Sequence, residues 1–175
     1  MSDSTSSPPA ESGRSRRRYN TAGRRAQAMT TRTKIIEAAS RAFLDRGYSG
    51  ATIPQIAADA GVAVETVYRS AAGKAGLLAA AVQAALAGGV ERAAQPVEQR
   101  VGLRRVIEAA DARSALRAYA ATQPGVWSRV GPLLRVLESA AKGEQSLTEL
   151  QDNLARQRLT GMRRFAGQLA DRGAL

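Results

Sequence analysis

Residues 52–74 read TIPQIAADAGVAVETVYRSAAGK, and the fold of the chain is decided by this stretch. Thr52 and Gln55 stand at capping-box spacing and Pro54 is tolerated in a first turn, so a helix starts at Thr52. Gly61 ends it, because glycine takes positive φ without a steric penalty. A second, short helix is expected from about Ala63 to Ser70. Where two helices cross at a tight angle, a small residue lets the backbones approach, and Ala57 supplies it four positions before Gly61. An aliphatic side chain must then pack back into the angle, and Val67 lies six positions further on. Ile53, Ile56, Ala60 and Val62 complete the inner face. Together Ala57, Gly61 and Val67 predict a helix-turn-helix, although an ordinary helical hairpin shares each feature singly.

The outward chemistry separates those two readings. Glu65, Thr66, Tyr68, Arg69 and Ser70 crowd the short helix with groups that reach base edges or phosphates. Lys74 stands at the start of the following helix, where free amide N–H groups and the helix dipole also favour a phosphate.

Working outward, Ile35, Ala39, Ala42, Phe43 and Arg46 fall at helical spacing from about Thr31, with Gly47 suited to a C-terminal cap. Lys74 to Ala87 continues as a helix with Leu78, Val82, Ala85 and Leu86 on one face. Gly88-Gly89 and Pro96 mark looser connections, which place a domain boundary near residue 90. Residues 101–110, 111–122 and 124–142 read as further helices. Ser146 and Glu149 have capping-box spacing before a last helix carrying Leu147, Leu150, Leu154, Leu159, Met162 and Leu169, closed by Gly173. No segment has the pattern of a strand. The expected fold is all-α: a basic, disordered arm over 1–30, a helix-turn-helix domain over 31–90 and a helical regulatory domain over 91–175.

Composition narrows the chemistry. The 175 residues contain no cysteine and no histidine, which removes disulfides, thiolate metal sites, the common zinc sites and histidine-based triads. No paired carboxylates stand at a suggestive spacing, so neither a catalytic residue nor a metal ligand nor a cofactor is expected. No run of about twenty apolar residues occurs, and the start MSDSTSSPPAESG has no basic-then-apolar signal; a cytoplasmic protein is expected. The net charge is +11, and residues 12–36 hold eight basic residues and no acid, among them Arg24, Arg25 and Arg32. Such an arm suits a DNA backbone or minor groove, or serves as a solubilising extension.

Residues 32–88 resemble the DNA-binding domain of the TetR/AcrR family of bacterial repressors. The likeness is carried by IIEAASRAFLDRGYSGATIPQIAADAGVAVETVYRS at 35–70, by Lys74, and by the leucine pair of KAGLLAA at 74–80. The resemblance implies a third helix in the major groove, a homodimer on a palindromic operator of double-stranded DNA, and C-terminal helices enclosing a pocket for a small-molecule inducer that releases the DNA. It further implies that Thr52 meets the backbone at a helix start, that Tyr68 and Lys74 contact phosphate, and that Thr66 contacts phosphate or an adjacent base. Val64, Glu65 and Arg69 are the base-reading candidates. Arginine to guanine and glutamate to cytosine are each worth about 1–3 kcal/mol of discrimination; Glu65 equally suits a helix-start cap.

Three departures from the family pattern stand out. Ala63 replaces a Ser or Thr cap and Ala71 replaces an aromatic residue. The chain stops at Leu175, where family members continue with two helices that pair two subunits, so the usual dimer helices are expected to be missing. In the C-terminal region Tyr119, Trp127, Met162 and Phe165 are the large side chains available to line a ligand pocket or simply to fill a core, and Arg105, Arg117, Arg129 and Arg135 are available to an anionic ligand. The competing function is a helical polyanion-binding or adaptor module without sequence-specific recognition.

Overall fold

The computed structural model of the chain describes residues 12–173. Helix α1 (Ser12–Gly50) is broken at Gly47, whose φ of 68° and ψ of 178° take the chain out of the helix. There follow α2 (Ile53–Ala60), α3 (Val64–Ser70), α4 (Gly73–Ala87), the single turn α5 (Val90–Ala93) and a 3-10 turn at Val97–Gln99. The chain continues with α6 (Val101–Ile107), α7 (Ala112–Ala141) and α8 (Gln145–Ala170), and no strand occurs among the described residues. The all-α expectation holds.

Three differences from the sequence reading have physical causes. Residues 12–30, expected to be irregular, continue α1, while residues 1–11 lie outside the described residues. The second half of α1 buries Ile35, Ile36, Ala38, Ala39, Ala42 and Phe43. That packed half supplies the costly nucleus, and extension through arginine, alanine and glutamine then adds one hydrogen bond per residue. Residues 112–141 form one helix rather than two, with Pro124 and Pro132 inside it. Each proline removes one backbone bond, but Val130, Leu133 and Leu137 remain buried along one stripe and hold the helix to its neighbours. Thr122 Oγ1 also donates to Tyr119 O at 2.7 Å, beside the carbonyl that Pro124 leaves without its amide. The third difference is the start of α8. Ser146 forms no capping box with Glu149; its hydroxyl donates to Glu144 Oε1 at 2.7 Å, and Glu144 occupies the cap position.

A single large core joins the two ends of the chain. Ile35, Phe43, Ile56, Val67, Leu77, Leu78 and Val82 belong to the same buried cluster as Val130, Leu133, Leu137 and Leu147. Helix α4 packs on α1 on one side and α7 on the other, so the expected boundary near residue 90 does not interrupt the core. A second, smaller cluster gathers Val106, Ala112, Ala115 and Leu169, with Tyr119 and Phe165 against it. No single described helix is long and apolar enough to cross a membrane.

Candidate nucleic-acid interface

The helix-turn-helix forms as its local chemistry requires. Thr52 Oγ1 accepts from the Gln55 amide at 3.4 Å and donates to Gln55 Oε1 at 2.9 Å, capping α2. At the other end Gly61 takes φ 67°, ψ 39°, and the amides of Gly61 and Val62 bond to Ala58 O at 3.1 Å and Ala57 O at 3.0 Å. This double closure satisfies carbonyls that the helix end would otherwise leave unpaired. Ala57 and Val67 are both buried, so the small residue and the wedge meet in the angle between α2 and α3. Ala63 occupies the cap position of α3 with no side-chain bond.

The solvent side of α3 carries the expected polar set, with two exceptions. Glu65 and Arg69 are exposed, and Tyr68 is 57% exposed although it is a large aromatic residue. Its phenol hydroxyl is thereby available to a partner from solvent. Thr66 is half-buried, and its hydroxyl lies 3.4 Å from Arg69 Nη2, within reach of the same neighbourhood. Ser70 is the first exception: its hydroxyl is buried without a partner among the described residues, and its carbonyl accepts from Arg32. Val64 is the second, packing partly against the core.

Arg32, which the sequence offers only as one charge of the basic arm, ties the two helices together. Its Nη1 donates to Ser70 O at 2.9 Å, joining the end of α3 to α1. Arg24, Gln27, Thr31, Arg32, Thr66 and Arg69 share a groove of about 480 Å³ between those helices. Arg24 and Arg32 of α1 thus lie beside α3. The pairing spans 38 residues, and nothing in the local sequence signals it.

Lys74 has structural partners of its own. Its Nζ donates to Ala51 O at 3.0 Å and Ser49 O at 3.5 Å, and stands 4.4 Å above the Tyr48 ring. The ammonium fastens the start of α4 to the turn that follows α1. Tyr48 in turn stacks on Phe43 at 5.8 Å and donates its hydroxyl to Glu144 Oε1 at 3.0 Å. Burial, the hydrogen bond and the neighbouring carboxylate charge all favour the neutral phenol, whose pKa is pushed up to about 12. Lys74, Tyr48 and Glu144 therefore connect the helix-turn-helix to the α7–α8 turn.

The four large residues expected near a ligand do not form one site. Tyr119, Met162 and Phe165 cluster together: the Tyr119 and Phe165 rings lie 4.9 Å apart, and the Tyr119 hydroxyl meets Met162 Sδ at 3.5 Å. Trp127 lies elsewhere, lining a cavity of about 520 Å³ between α4, α7 and α8 with Leu86, Val126, Val130, Leu134 and Leu154. The arginines on this cavity are Arg100 and Arg158. None of Arg105, Arg117, Arg129 and Arg135 reaches it; Arg129 Nε instead donates to Ala85 O at 3.1 Å, across the α4–α7 contact.

Comparison with known proteins agrees with this geometry. A solved structure from Pseudomonas aeruginosa PAO1, described as a candidate transcriptional regulator, superposes with a TM-score of 0.61 at 21% identity. The match covers 81% of this chain and 66% of that one, just under two thirds of its length, and at that identity it shows a shared fold. No curated protein matches the sequence. Residues 35–81 match the family model of bacterial regulatory proteins of the tetR family. The matched residues run from the buried half of α1 through the helix-turn-helix into α4, so it is the head of this chain that is similar to the tetR family.

Proposed function

We propose that the chain is a sequence-specific DNA-binding transcriptional regulator, a repressor that a small molecule releases from its operator. The observation that carries the reading is the exposed face of α3, where Glu65, Tyr68 and Arg69 stand in solvent on a helix whose opposite side is locked by Val67. In this reading α3 enters the major groove, Arg69 and Glu65 read base edges, and Tyr68 holds phosphate through its hydroxyl. Thr52 meets the backbone at the start of α2, and Lys74 uses its remaining N–H toward phosphate while keeping its two carbonyls. Arg24 and Arg32 extend the contact along the backbone from α1, which their shared groove with Thr66 and Arg69 supports. A palindromic operator and a homodimer follow, since one α3 covers only a half-site. The protein works in the cytoplasm by binding alone, without catalysis.

Selection of bound duplexes from a random pool tests this. The expected result is an enriched palindromic motif, with Arg69→Ala relaxing one position and Tyr68→Phe weakening all sequences alike. Retention of every duplex equally would instead support a general polyanion-binding module.

A further inference from the structure

The cavity between α4, α7 and α8 combines an apolar body with unpaired positive charge. Leu86, Val126, Trp127, Val130, Leu134 and Leu154 make its apolar wall. Gln83, Gln151 and Gln157 supply neutral polar groups, and Gln83 Nε2 meets Gln157 Oε1 at 3.4 Å. The Nε–H of Arg100, which lines the same space, is buried and has no hydrogen-bond partner among the described residues. Arg158 lies with its guanidinium 5.0 Å from the centre of the Trp127 ring, and neither arginine forms an ion pair among the described residues. An unmet donor on a charged group in low-dielectric surroundings is costly and is relieved by an anion. Glu138 is the acidic residue on the cavity, so the lining carries two positive charges against one negative.

We infer that this cavity receives an amphipathic organic monoanion, a carboxylate on an apolar body, with Arg100 and Arg158 holding its head group. The inference rests on the ligand-responsive reading above and names the class of ligand. A guanidinium presents paired N–H groups that match a carboxylate bidentately. The lining's single excess positive charge balances one negative charge better than two. The volume of about 520 Å³ falls in the range of small-molecule sites, and its apolar wall suits a hydrocarbon body.

Trp127 is the only tryptophan in the chain, so its fluorescence reports occupancy of the cavity directly. The full-length protein is titrated with three probes sharing one body: decanoate, 1-decanol and decylamine. Decanoate is expected to bind at least roughly tenfold more tightly than the alcohol, as a charge-assisted hydrogen bond implies, with the amine weakest. Arg100→Gln should lower decanoate affinity roughly tenfold and leave 1-decanol unchanged. Arg100→Lys should fall between, and circular dichroism with thermal melting checks that both variants fold. Equal binding of the three probes, no saturable binding by any, or an Arg100→Gln variant with full decanoate affinity would overturn the inference. So would a Trp127 shift driven by protein concentration alone, which would place a second copy of the chain over the cavity. Retention of the selected duplex is read in parallel. If 1-decanol fills the cavity and releases DNA as well as decanoate does, the ligand class is wrong while ligand-responsive regulation stands. If decanoate binds by the Arg100-dependent route and the duplex is held unchanged, the ligand class stands and release by ligand is wrong.

Discussion

The two ends of this molecule use similar residues to opposite effect. In the head, Ile35, Ile36, Ile56, Val67, Leu77, Leu78 and Val82 are buried together with Phe43, and the helix ends are closed by Thr52, Gly61 and Gly88. In the body, α7 and α8 leave Leu116, Trp127 and Leu159 in solvent, and part of the space between them stays open as a cavity. A dense head fixes the presentation of α3, and the base reading proposed for it would require that to within fractions of an ångström. A more loosely filled body gives up packing free energy at its cavity and leaves room for the ligand proposed above.

Core truncation should expose the contrast most strongly. Phe43→Ala empties a buried site in the head and is expected to cost about 3–5 kcal/mol in chemical denaturation. Phe165→Ala, at a half-buried residue packed against the smaller cluster of the body, should cost less than half as much. Equal losses would mean that the body is packed as tightly as the head. At the turn, Gly61→Ala forces a side chain into the left-handed region at φ 67°, with an expected loss of about 1–2 kcal/mol. Its DNA affinity should fall as well, because the angle between α2 and α3 depends on that residue.

The junction between head and body responds to alkali. Tyr48→Phe removes the hydrogen bond to Glu144 and is expected to cost about 0.5–1.5 kcal/mol at neutral pH. Folding raises the Tyr48 pKa from 10.0 to about 12, so the native state holds the phenolic proton more tightly than the unfolded chain. The resulting stability is complete below pH 10 and is lost as pH rises through about 12. The stability gap between the wild type and Tyr48→Phe should therefore be flat up to pH 10 and close above it. A gap independent of pH from 9 to 12 would show that the phenol does not link the two ends. The smallest effect is expected at Leu159, which is 50% exposed. Leu159→Gln should change stability by less than about 0.5 kcal/mol in the same denaturation series, and a larger loss would reveal a partner surface on α8.

The features legible in the sequence are those fixed by neighbours a few positions away. Thr52 with Gln55, and Ala57 with Gly61 and Val67, announce themselves because a cap, a left-handed turn and a close approach each demand a residue type at a set spacing. The absent cap at Ala63 was visible for the same reason. What escaped depends on how helices rotate against one another. Trp127 faces the cavity while Tyr119 and Phe165 turn into a separate cluster, and no periodicity within one helix fixes that division. The continuity of α7 across Pro124 and Pro132 rests on tertiary burial that overrides local breakers. Arg32 on Ser70 and Lys74 on Ala51 join residues dozens of positions apart, so local patterning carries no trace of either contact.

The central claim is that the exposed face of α3 reads DNA sequence. Its most direct test is the ratio of dissociation constants for the selected duplex and a scrambled duplex of the same composition, measured at one salt concentration near 0.15 M. The account predicts a preference of at least about a thousandfold, falling sharply in Arg69→Ala. Equal constants for the two duplexes would contradict it.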